Sequence, residues 1–99
     1  MTKSEYIEKN IINETTFIME YGTKSCSHCM FWNKILTANT PNDVKIHYVD
    51  IEADENVRSF ISGDHLPIID VYKNNILINT FIGQPTKENK DLFCKIINN

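Results

Sequence analysis

Residues 16–29 read TFIMEYGTKSCSHC. The first six are β-branched, aromatic or apolar apart from Glu20. That composition suits a strand buried on both faces, in the middle of a sheet. Residues 22–25 supply Gly and Ser and read as a loop. From Cys26 to about residue 38 the pattern is helical, with Phe31, Ile35 and Leu36 apolar, and Thr40-Pro41-Asn42-Asp43 ends it. A buried strand, a short loop and a helix start therefore meet at Cys26-Ser27-His28-Cys29.

That spacing carries chemistry. Two intervening residues on a first helical turn bring two sulfurs within bonding reach, which reads as a dithiol redox motif. Cys26 falls at the helix N-terminus, where unpaired amide N–H groups and the helix dipole favour a thiolate. Cys29, one turn further in, is the more buried sulfur and resolves a mixed disulfide from behind. His28 is a tuning residue: an imidazole beside Cys26 stabilises the thiolate and makes the couple more oxidising. Ser27 is small and offers a hydrogen bond to sulfur. The third cysteine, Cys94, makes the count odd and excludes a fully paired framework within one chain. A Cys-x-x-Cys can also be half of a zinc site, which requires two more ligands. His28, His47, His65 and Cys94 are the candidates, but they form no second close pair, so no metal is expected.

The rest of the chain builds outward from this motif. Thr2-Lys3-Ser4-Glu5 fits a capping box and opens a helix to about residue 13, with Ile7 and Ile11 stacked. Residues 44–51 are a second strand, and His47 is expected to face outward on it. Asp54 caps a helix carrying Val57, Phe60 and Ile61, with Gly63 as its C′ residue. Residues 68–72 and 76–82 are two further strands joined by Asn74-Asn75, a tight-turn pair that tolerates positive φ. Thr86 starts a last helix with Leu92, Phe93, Ile96 and Ile97 on one stripe. Cys94 on that helix is read as a small buried hydrophobe, Trp32 as packing under the dithiol, and Tyr21 and Tyr72 as core. The order α-β-α-β-α-β-β-α implies one parallel crossover, one closing hairpin and helices on both sheet faces. One α/β sandwich domain over residues 1–99 is expected.

Composition excludes several function classes. Ten Lys and Arg stand against 13 Asp and Glu, a net charge of −3, and nucleic-acid binding by bulk electrostatics needs a basic excess. Only Arg58 among the cations is arginine, so no cluster of guanidinium forks awaits phosphate. The apolar runs are too short for a membrane span. The first residues carry Glu5 early and lack an apolar leader core, so a cytoplasmic protein is expected.

These residues resemble the thioredoxin superfamily, and the resemblance covers nearly the whole chain. It rests on the strand feeding Cys26-Ser27-His28-Cys29, the helix starting there, Leu66-Pro67-Ile68 before the hairpin, and Gly83 after the last strand. It implies a thioredoxin-like three-layer α/β/α sandwich on a four-stranded mixed sheet. The family's first strand is expected to be short or absent, since the chain starts almost at its first helix. By the same resemblance Pro67 is a cis-proline facing the dithiol and Leu66 offers backbone to an extended substrate segment. Gly83 borders that groove, and His65, two residues before Pro67, flanks it. Glu20 stands six residues before Cys26, where thioredoxins carry a buried acid. In an apolar strand its pKa should be raised, so that it takes the proton of Cys29 during resolution. The family residue is usually Asp, so Glu20 is one methylene longer.

The departures bear on the branch. Ser25 stands where the family has an aromatic shield, and Lys34 where it has a helix-kinking proline. His28 in the second middle position resembles protein disulfide isomerase and the periplasmic oxidants. Glutaredoxins usually carry Cys-Pro-Tyr-Cys and a Gly-Gly turn, whereas Phe81-Ile82-Gly83-Gln84-Pro85 has one Gly. The expected function is a dithiol–disulfide oxidoreductase that reduces protein disulfides through a reversible Cys26–Cys29 disulfide. Its electrons come from thioredoxin reductase or glutathione, and the chain needs no cofactor beyond its own disulfide. A monomer is expected, with no membrane or nucleic-acid partner. The alternatives are a glutaredoxin-like glutathione-coupled reductase, a more oxidising disulfide oxidase or isomerase, a non-catalytic binding module on the same fold, and the metal site.

Overall fold

Strand β1 (Phe17–Gly22) is buried at all six positions, as a central strand must be when both faces are covered. The computed structural model describes residues 1–99. Before β1 comes helix α1 (Lys3–Asn10); after it come α2 (Ser27–Asn39), β2 (Lys45–Asp50), α3 (Glu55–Arg58), β3 (Ile68–Lys73), β4 (Ile76–Ile82) and α4 (Lys87–Ile97). The four strands form one sheet in the order β2-β1-β3-β4. β1 and β2 run parallel, with Glu20 opposite Tyr48; β3 is antiparallel to β1, and β4 to β3. No strand precedes α1. This is the four-stranded mixed sheet between helical layers that the sequence implies.

Alternation along β1 divides the core in two. Phe17, Met19 and Tyr21 face one side and join Tyr6 of α1, Val57 of α3, Ile51, Ile61 and Tyr72. Ile18 faces the other side with Trp32 and Leu36 of α2, Phe93 and Ile97 of α4, Ile69, Val71 and Phe81. Cys94 is half-buried against that second cluster. Glu20 points to the same side as Ile18, toward the layer that carries the dithiol.

Local signals are realised where they are self-contained. Thr2 and Glu5 form the full capping box. Thr86 Oγ1 accepts from the Asn89 N–H at 3.1 Å and caps α4. Asn74 and Asn75 both take positive φ, 54° and 65°, the conformation a two-residue hairpin turn needs.

Three expectations are corrected. Helix α1 ends at Asn10 rather than near residue 13: the Asn10 side chain donates to Tyr6 O, and Asn13 takes φ 66°. Helix α3 is a single turn ending at Arg58, with Ser59 as C-cap, so Gly63 is not its C′ residue. Ser59 Oγ bonds Asn56 O and Met1 O, a side-chain competition that favours helix ends. Ile61 keeps its place in the core although it lies beyond the helix. His47 does not face outward: its Nε2 donates to Glu14 Oε1 at 2.9 Å and its ring lies edge-on to Phe17.

Candidate active site

The dithiol sits at the junction of β1 and α2. Cys26 has extended backbone and caps α2, and its Sγ accepts the Cys29 N–H at 3.2 Å. One of the helix's orphan amides is thus spent on sulfur, the arrangement that favours negative charge there. The two sulfurs are joined in a disulfide, with the Cα atoms 5.3 Å apart. Cys26 is partly exposed and Cys29 buried, so Cys26 is the sulfur that a reagent from solution can reach. Ser27 is exposed and His28 half-buried on the first turn, with Nδ1 enclosed and without a hydrogen bond inside the protein.

Behind Cys29 lies a cleft of about 250 Å³, bordered by Glu20, Gly22, Lys24, Asn33 and Tyr48. Glu20 is only 4% exposed. Its Oε2 makes no hydrogen bond within the protein, and neither does Oδ1 of Asn33. Burial pushes the Glu20 pKa up to about 7, since a carboxylate loses its hydration there while nothing nearby repays it. A carboxyl that titrates near neutrality, in the same cleft as the buried sulfur, can take up and return a proton. Gly22 closes the cleft tightly: a Cβ built on it would lie 2.6 Å from Cys29 Sγ.

The remaining positions meet through the loop after β4. The Leu66–Pro67 peptide bond is cis; Pro67 is buried and Leu66 half-buried against the α1/α3 core. Gly83 has φ 75°, a left-handed conformation that glycine adopts at no steric cost. Its N–H donates to Pro67 O at 2.9 Å. Its carbonyl accepts from Trp32 Nε1 of α2 at 2.7 Å. Trp32, fully buried against Phe81 and Phe93, therefore ties the dithiol helix to Gly83, and Gly83 to Pro67. His65 is exposed on the loop before them. No three His, Cys, Asp or Glu side chains are grouped to hold a metal ion, and no helix is long and apolar enough to cross a membrane.

Sequence reading missed Gly22, Asn33, Tyr48 and the Trp32–Gly83 bond. Gly22 had a signal, a glycine ending an otherwise bulky strand beside the motif. Asn33 had one too, four residues after Cys29 and so on its face of α2. Tyr48 and the Trp32 partner depend on strand register and on a contact 51 residues apart.

No protein-family model matches this sequence, and no curated protein matches it. Solved structures do match it. A thioredoxin from Plasmodium falciparum is 17% identical with a TM-score of 0.63, over 98% of this chain and 92% of that one. Thioredoxin O1 of Arabidopsis thaliana in its oxidised state is 16% identical with a TM-score of 0.64, over 95% and 91%. The reduced thioredoxin pre-protein of Schistosoma mansoni is 17% identical with a TM-score of 0.61, over 94% and 87%. The chain has the thioredoxin fold, and its joined Cys26–Cys29 pair fits a thioredoxin-like dithiol site. Fold and site together support a disulfide oxidoreductase in general.

Proposed function

We propose that this chain reduces protein disulfides through reversible oxidation of Cys26 and Cys29. The observation that carries the reading is the Cys26–Cys29 disulfide with Cys26 capping α2 and partly exposed. In the reduced protein the Cys26 thiolate attacks one sulfur of a substrate disulfide. A Cys26–substrate bond forms, the substrate bond breaks, and one substrate thiolate leaves. Cys29 then gives up its proton to the Glu20 carboxylate and attacks Cys26. The Cys26–Cys29 bond forms and the second substrate thiolate departs. Two electrons have passed from the protein to the substrate.

The backbone at Leu66 and Pro67 and the loop at Gly83 are the proposed substrate groove, with His65 at its rim and Ser27 and His28 tuning the thiolate. The electron donor is thioredoxin reductase or glutathione. The working form is a cytoplasmic monomer with no cofactor beyond the disulfide. The half-buried His28 favours a second reading, a more oxidising enzyme that donates disulfides.

Two measurements test this. Cys29→Ser should trap mixed disulfides on Cys26, whereas Cys26→Ser should trap none and reduce nothing; full turnover by Cys29→Ser would replace the two-cysteine route with a monothiol one. Equilibration in glutathione buffers then separates the readings. A potential near the thioredoxin value of about −270 mV supports a reductase, and one near the value of about −120 mV reached by a strong periplasmic oxidant supports the second reading.

A further inference from the structure

A groove beside the dithiol plays no part in the reaction just described. It runs between α2 and the start of α4 and encloses about 470 Å³. Phe31, Ile35 and Pro85 give it apolar walls, and Lys34, Lys87 and Lys90 stand around them. No carboxylate lines it, and none of these three lysines is in an ion pair. In a chain of net charge −3 this is a local concentration of positive charge over exposed apolar surface, including a Phe31 ring that is 57% exposed.

Its position matters as much as its charge. Phe31 follows Cys29 by two residues on α2, and Pro85 follows Gly83 by two, so both walls grow out of elements that flank the dithiol. Phe31 also stands four residues beyond Ser27 on α2, one turn and about 6 Å along the same helix face, so the groove opens within a few peptide residues of the dithiol end of α2. We propose that the groove selects substrates: it takes a protein segment beside the target disulfide that carries acidic side chains around an apolar residue. The lysines attract the carboxylates, and the apolar walls hold the anchor. This inference rests on the reductase reading and narrows it to a substrate class.

The test uses the pre-reduced full chain and three disulfide peptides of equal length, with Glu, Gln or Lys at the positions flanking an aromatic residue. The readout is the single-turnover rate of disulfide exchange at low and high salt. The Glu peptide should react about tenfold faster than the Lys peptide at low salt, and added salt should erode most of that advantage. Changing Lys34, Lys87 and Lys90 together to Gln should bring the Glu and Lys peptides to the same rate. Changing Lys9, Lys45 and Lys95 to Gln alters the net charge equally and should keep the preference. Phe31→Ser should slow the Glu peptide. Equal rates for the three peptides on the native chain would overturn the selection while leaving the reductase reading standing. So would a preference that survives the Lys34, Lys87 and Lys90 changes, or one abolished equally by the distant set. If even the Gln peptide is not reduced, the reductase reading fails and the selection falls with it.

Discussion

A Cβ on Gly22 would lie 2.6 Å from Cys29 Sγ, so the end of β1 and the inner sulfur of the dithiol meet with no room for a side chain. A thiol can swing away from such an intrusion by rotating about one bond; a sulfur tied to Cys26 cannot. Gly22→Ala should therefore cost the oxidised form about 1–3 kcal/mol of overpacking and the reduced form less. The reduction potential should become less negative by roughly 20–60 mV. Thiol tagging in glutathione buffers measures it, and an unmoved potential would mean that β1 yields instead.

Glu20 makes stability depend on pH in a direction opposite to most carboxylates. Its pKa is pushed up to about 7 by burial, from an ordinary value of about 4.3 in the unfolded chain. Between those values the folded state holds the proton and the unfolded state does not. Stability is therefore complete below the lower value and falls as pH rises through the upper one. The loss by pH 8 is on the order of 3–4 kcal/mol. Glu20→Gln should remove this slope, matching the native chain at acid pH and exceeding it at pH 8 in urea titrations. The same variant should slow the resolving step near neutral pH. A native-like slope in the variant would assign the pH dependence to other groups.

Trp32 is a positioning residue for the proposed groove, through the 2.7 Å bond from Nε1 to Gly83 O. Trp32→Phe keeps an aromatic ring among Phe81 and Phe93 but leaves that carbonyl without its donor. The expected stability loss is about 1–3 kcal/mol. The informative readout is the split between constants. KM for a peptide disulfide should rise several-fold with kcat little changed, while reaction with a small aromatic disulfide, which does not need the groove, stays as it was. An equal fall for both substrates would point to the dithiol itself.

Asp70 of β3 is fully buried and accepts from Thr80 Oγ1 at 2.6 Å, with Lys3 Nζ of α1 2.9 Å from its other oxygen. Its charge adds to burial in raising the pKa values of Tyr21 and Tyr72. Lys3→Met should strand a buried carboxylate. Complete burial would make that cost about 3–5 kcal/mol; because Lys3 is itself partly exposed, about 1–3 kcal/mol is expected. Chemical denaturation checks it. A double change with Asp70→Asn should recover part of the loss, and failure to do so would mean that α1 is not held by charge.

The parts of this fold that can be read along the chain are those whose causes are local. The capping box of Thr2 and Glu5, the Asn74-Asn75 turn and the buried run of β1 each contain their own explanation within a few residues. Helix α3 resists such reading because Ser59 bonds Met1 O from 58 residues away, and apolar spacing around Val57 persists after the helix has stopped. At the site, Cys26 and Cys29 announce themselves by their spacing, whereas Glu20 is reached only through the resemblance to thioredoxins. Asp70 passes for an ordinary strand residue until Lys3 and Thr80 are brought to it. The lysine groove joins residues of two helices that sequence leaves far apart, and no motif marks it.

Trp32 is the only tryptophan in the chain. It lies one helical turn beyond Cys29, sealed from water and hydrogen-bonded to Gly83 O. All indole emission from this protein therefore comes from one place, one helical turn from the inner cysteine of the dithiol. The light it emits should differ between disulfide and dithiol, and again when the core opens to water. Exchange at the site and loss of the fold can thus be followed in one cuvette without attaching a dye.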